Sequence, residues 1–235
     1  MKPIIEGNII SVELIEPSGK PLPLYLHKGR YFVEAKHMME YQIRVYCKPK
    51  FHFDRTEVLT SIDGRNTLVD EAADLVNSNG MVVSGSNVYI VKGWRLNDKE
   101  TSPFVFTMFD KDTVAKQATN SAENLGVIAI AAYRELMPNL MFARPNINLY
   151  KGVLESTSQT MRGPGMGTGI GSRVDSDRVG HTTFNRDLSV PLTLIQIYAM
   201  PGWWLKEQGI RLESDTSFPE GFTGGKTGYE DFKKI

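Results

Sequence analysis

Apolar and polar residues alternate with a period of two along several stretches of the chain. That spacing turns one set of side chains toward a core and the other toward water, as in a half-buried strand. The clearest stretch is EYQIRVYC, residues 40–47, where Tyr41, Ile43, Val45 and Cys47 share one face and Gln42, Arg44 and Tyr46 the other. NVYIVKGW, residues 87–94, and PFVFTMF, residues 103–109, are rich in β-branched and aromatic residues between turn formers, and predict two more strands. GVIAIAAY, residues 126–133, is apolar on both faces. A short buried helix and a central strand both fit it, and its leading glycine with Val and Ile favours the strand. LTLIQIYA, residues 192–199, follows Pro191 and sets Ile195, Ile197 and Ala199 on one side. Shorter strands are predicted at 22–27, 31–35, 57–62, 81–83 and 178–184.

Strands at this density, punctuated by Ser18-Gly19, Lys28-Gly29, Asp63-Gly64 and Ser84-Gly85, predict an all-β fold, an antiparallel β-sandwich or jelly roll. Its expected core comprises Tyr41, Ile43, Val45, Phe104, Phe106, Ile128, Ile130, Ile195 and Ile197. Long amphipathic patterns are missing, and only short helices are expected, near 68–76 and near 112–119 with Asp110 or Asp112 as N-cap. Residues 1–212 form the expected body, within which 156–171 reads as a polar, glycine-rich connection. Residues 213–235 have neither strand nor helix period and read as an irregular C-terminal arm. Phe218, Phe222, Tyr229 and Phe232 stand there among glycines and polar residues. Aromatic rings with too little local structure to bury themselves are suited to a partner's surface, so these four are the expected partner-binding anchors.

Composition narrows the function. The 235 residues are 41% hydrophobic and 23% charged, as in a folded protein with a sizeable core. Lys plus Arg and Asp plus Glu each total 27, so no net positive field exists to hold nucleic acid. A net charge of zero also removes the repulsion that keeps copies apart, which favours self-association or incorporation among other subunits. The single cysteine, Cys47, excludes an intramolecular disulfide and a four-cysteine zinc site, and its place in an alternating strand predicts a buried thiol. The N-terminal stretch MKPIIEGNIISVELIEP carries acidic residues within its apolar run and does not read as a signal peptide. No run approaches the roughly 18–20 apolar residues of a membrane-spanning helix. The expectation is synthesis in a cytoplasm, with incorporation into a virion as one destination.

Motifs that carry chemistry elsewhere fail here on spacing or context. The run RGPGMGTGIGSR has glycine at 163, 165, 167, 169 and 171, without the two-residue gap or the strand-turn-helix setting of a dinucleotide fingerprint. Alternating glycines of this kind serve close backbone approach, or a nest for an anion between Arg162 and Arg173. GFTGGKTG, residues 221–228, is one residue short of a phosphate-binding loop and leaves no length for the helix that would follow. His27, His37, His52 and His181 are dispersed, and only a fold that joins His27 to His181 would pair any of them on a metal. Asp175, Asp177 and His181 lie near serines, yet no GxSxG turn accompanies them. Trp94 and the Trp203-Trp204 pair read as core lids, with sugar stacking as the alternative if they are exposed. No catalytic, cofactor-binding or metal-binding residue is therefore assigned, and no cofactor is expected.

At SIDGRN (61–66), VYIVKGWR (88–95), PFVFT (103–107), NLGVIAIAAYRE (124–135) and GTGIGSR (167–173) the chain resembles an uncharacterised group of β-rich proteins from bacterial and phage genomes. The resemblance covers the middle of the chain and implies that the glycine run belongs to the folded body. It implies no activity, because that group has no assigned biochemical function. The reading that follows is a non-enzymatic structural protein, a phage virion or capsid-associated protein of the decoration type. A carbohydrate-binding module, marked by clustered exposed tryptophans, is the alternative. A hydrolase whose carboxylates meet only in the fold is the second alternative, since paired acids of that kind are invisible in a linear chain.

Overall fold

A computed structural model describes residues 3–49, 54–69, 71–108, 124–136, 165–175 and 180–213. Two sheets form there. In the first, β1 (Ile5–Glu6), β2 (Ile10–Ile15), β5 (Glu40–Cys47), β11 (Glu100–Thr107) and β10 (Gly93–Arg95) lie side by side. β9 (Val88–Val91) joins it beside β5, and β13 (Gly167–Ile170) and β14 (Val174–Asp175) beside β11. The second sheet runs β3 (Leu24–His27), β4 (Arg30–Ala35), β15 (Thr193–Pro201), β12 (Val127–Arg134), β6 (Arg55–Ile62) and β7 (Arg65–Asn66), with β8 (Met81–Ser84) against β6. Every pairing is antiparallel except β4 with β15, which run parallel from Tyr31↔Ile197 to Ala35↔Pro201.

The alternating positions of both sheets face each other across one core, which gives the sandwich-like all-β architecture. All nine expected core residues are buried. Tyr41 stacks on Phe106 with ring centres 4.1 Å apart, and Trp94 meets Phe104 edge-on at 5.4 Å. The helix expected at 68–76 does not form. Its described residues make turns, because Asp74 Oδ1 accepts from the backbone N–H groups of Val76 and Asn77 at 2.7 and 2.9 Å and so competes with helical bonding. The helix expected at 112–119 lies outside the described residues. NVYIVKGW divides at Lys92: β9 pairs with β5, and β10 then turns to pair with β11. Residues 180–184, within the strand expected at 178–184, are irregular.

Six elements have no counterpart in the sequence reading, the two-residue strands β1, β7 and β14 and three larger ones. β2 pairs with β5 over six positions, Ile10↔Cys47 to Ile15↔Gln42. Part of the glycine run becomes β13, paired to β11. One short helix, α1 (Gly202–Glu207), follows β15 and turns Leu205 inward with Ile210 and Leu212 onto Phe32, Tyr198 and Met200.

Candidate docking groove on the second sheet

Because successive side chains of a strand point to opposite faces, β6, β12 and β15 each present a second set of residues away from the core. Val58, Ile62, Ile128, Ile130, Ile195 and Ile197 point inward. The outward positions between them are Leu59 and Ser61, Val127, Ala129 and Ala131, and Leu194 and Gln196. Strand register lines these up in rows: Ser61, Ala129 and Gln196 form one, and Leu59, Ala131 and Leu194 the next. Small side chains at the centres of both rows leave an open cleft of about 310 Å³. It lies between two covered patches, the α1 cluster, which Val127 also touches, and a cluster of Leu59, Ala131 and Tyr133 under Leu75 and Phe184.

The groove's wall at residues 73–75 is pinned in place. Arg186 donates from Nη1 to the carbonyls of Leu75 and Val76 at 2.7 and 3.0 Å and from Nε to Glu57 Oε2 at 2.7 Å. Its guanidinium also lies 3.8 Å from the centre of the Tyr133 ring, whose hydroxyl donates to the Leu75 carbonyl. Asp74, on the same wall, is held below the usual carboxylate range by the two N–H groups it accepts. It is the one carboxylate among the groove's described lining residues.

The other end is built by two turns that meet. Asp63 and Gly64, both at positive φ (52° and 82°), close the β6–β7 hairpin in the mirror-image turn that suits twisted strands. The turn entering β12 carries Gly126 at φ 74°, where a Cβ would lie 2.7 Å from the Ala199 carbonyl oxygen. Asp63 joins the two turns. Its Oδ1 accepts from Gly126 N–H at 2.7 Å and its Oδ2 from Thr168 N–H, on β13 of the first sheet, at 2.6 Å. Thr168 Oγ1 lies 2.8 Å from the Tyr41 hydroxyl. A carboxylate only 5% exposed thus bonds strands of both sheets, and burial pushes its pKa up to about 7 against the opposing pull of the two N–H groups.

No protein-family profile, curated protein or solved structure matches the chain. The site therefore rests on its own geometry.

The residues singled out in the sequence fall mostly elsewhere. Phe218, Phe222, Tyr229 and Phe232 lie outside the described residues, as do His52 and Asp177. Trp94 is buried, with Nε1 donating to the Gly169 carbonyl at 3.3 Å, and Trp204 leans on Phe32. Trp203 alone of the three is exposed, at 55%, which does not make the clustered platform a sugar-binding face requires. Cys47 is buried, and desolvation pushes its thiol up to about 11, far from a reactive thiolate. His27 is half-buried, whereas His37 and His181 are exposed. Among the described residues no three His, Cys, Asp or Glu side chains are grouped to hold a metal, and no helix is long and apolar enough to cross a membrane. The sequence reading missed Asp63, noted only as a turn former, and the groove itself. Alanines in an apolar strand carry no visible mark of which face they occupy.

Proposed function

We propose that this protein is a non-enzymatic structural and interaction protein, a phage virion or capsid-associated protein that self-associates through its C-terminal arm. The observation that carries the reading is the groove on the second sheet, a cleft of mixed polarity over Ala129 between two covered patches, with Leu194 and Val127 beside Ser61, Asn124 and Gln196 in its lining. Such a cleft accepts a bulky apolar side chain, and the chain supplies four candidates in Phe218, Phe222, Tyr229 and Phe232. The occupant in this reading is the arm of a second copy. Ile210 and Leu212 already fill the α1 patch, and Glu213 N–H is held at 3.1 Å by the Tyr25 hydroxyl on β3, at the far edge of the sheet. From there the groove is two to four strands away, roughly 10–20 Å at about 4.8 Å per strand. Zero net charge lets copies approach.

Light scattering on the full chain and on a form truncated after Leu212 tests this. The full chain is expected to form an oligomer and the shortened one to run as a monomer with nearly unchanged melting temperature. A full chain that is monomeric, or a truncation that keeps its assembly state but melts far lower, overturns the reading. The second result would assign the arm to its own body.

A further inference from the structure

We propose that Asp63 is a proton-operated clasp: ionised, it ties β13 and the turn before β12 to the β6–β7 hairpin, and protonated, it releases one of those two backbone donors. The geometry carries this. Each carboxylate oxygen has one N–H, Gly126 on Oδ1 and Thr168 on Oδ2; the turn before β12 is also held by Asp63 N–H, which donates to the Val127 carbonyl at 2.9 Å, so the tie to Thr168 on β13 is the one that rests on the side chain. A carboxylic acid keeps one good acceptor oxygen and converts the other into a donor, so both N–H groups cannot remain bonded as before. The released segment matters because β13 joins the first sheet while Asp63 belongs to a hairpin of the second. Gly64, Asn124 and Val127, which surround this junction, also line the end of the groove.

The surroundings leave the proton equilibrium in the hands of this one group. From β5 comes Tyr41, whose hydroxyl bonds Thr168 Oγ1 and whose own ionisation is opposed by the Asp63 charge and, more strongly, by its burial. From β13 and the start of β12 come only Thr168 and Gly126, which do not titrate. No cation pairs with the carboxylate among the described residues, so the two N–H groups alone oppose the desolvation that favours its neutral form. That balance puts the exchange near neutral pH, where a change of about one pH unit alters the population several-fold.

The clasp does not depend on the docking reading and is tested on the isolated full chain. In a titration of isotopically labelled protein from about pH 5 to about pH 9, the Gly126 and Thr168 amide signals and the Asp63 carboxyl carbon are expected to move with one shared midpoint near 7. Amide protection across β13, corrected for intrinsic exchange, is expected to fall several-fold below that midpoint. Asp63→Asn should flatten both amide titrations while Thr168→Val, which keeps the N–H, should leave them in place. If the asparagine variant fails to fold, the wild-type carboxyl signal decides alone. A carboxyl midpoint below about 5, or amides that stay flat across the range, overturns the proposal.

Discussion

The two faces of the second sheet are made by the same strands and differ at every alternate residue. Ile128 and Ile130 close the inner face of β12 against the first sheet, whereas Ala129, one position away, leaves the outer face open. On the inner side the partner is fixed by the fold, so bulky branched side chains interdigitate and the space is filled. On the outer side the described residues cover the sheet at two places, with α1 at one end and Leu75 and Phe184 at the other, and leave small residues between them. Shared strands therefore do not imply shared packing: one face is closed by the body, and the other keeps a cleft between two covered patches.

Substitutions on the two faces should behave differently, and the inner face gives the largest effect. Ile130→Ala is expected to cost about 2–5 kcal/mol, from lost burial and the cavity it leaves, measured by urea unfolding. A loss under about 1 kcal/mol would show that the core relaxes around the gap. The next effect lies in the clasp between the faces. Burial raises the folded pKa of Asp63 to about 7, so native protein holds its proton more tightly than unfolded chain does. Stability from this group is therefore fully present below about pH 4 and is lost as pH rises to about 7, a difference of a few kcal/mol. The difference in unfolding free energy between wild type and Asp63→Asn, followed from about pH 4 to about pH 8, isolates it. The sign is opposite to that of local ordering in β13, which should increase over the same interval. A wild-type advantage that grows with pH would refute the assignment.

Gly126→Ala should cost about 1–2 kcal/mol from the left-handed backbone alone, with a further loss from the clash with the Ala199 carbonyl. Thermal melts read it. The smallest effect on stability belongs to the outer face: Ala129→Leu is expected to stay within about 0.5 kcal/mol while abolishing self-association on a sizing column. If it destabilises as much as Ile130→Ala, the outer face is packed like the inner one and the contrast fails.

Much of the sandwich was legible because a strand with one buried face writes its period into the chain. EYQIRVYC becomes β5 with the expected face inward, and LTLIQIYA, all but its leading Leu192, supplies the first seven residues of β15. What escaped has physical reasons. β2 was passed over because Ser11 and Glu13 interrupt its apolar run, yet both are buried: Ser11 donates to Glu6, and Glu13 accepts from Arg44 and Tyr46 at 2.6 and 2.5 Å. A polar residue buried by a partner on the neighbouring strand looks, in one dimension, like an exposed one. The segment 68–76 suggested a helix through its composition, but Asp74 and the arginine at 186 hold it in turns. Part of the glycine run forms β13, and the glycines at its two ends allow close approach, Gly165 to the Leu125 carbonyl and Gly171 to Pro103 of β11. Asp63 and the groove depend on contacts between residues more than sixty positions apart, which no local pattern encodes.

The parallel pairing of β15 with β4 also has a consequence in time. β15 lies between β4 and β12, so these two strands, separated by more than ninety residues, never pair with each other. Without residues 193–201 the pairings of the second sheet allow only two half-sheets, each with a bare edge. Pairings between residues so far apart in sequence slow folding, so closing that gap is the expected slow step. A nascent or truncated chain ending before Thr193 presents both edges to its neighbours and is a candidate for chaperone capture or edge-to-edge aggregation.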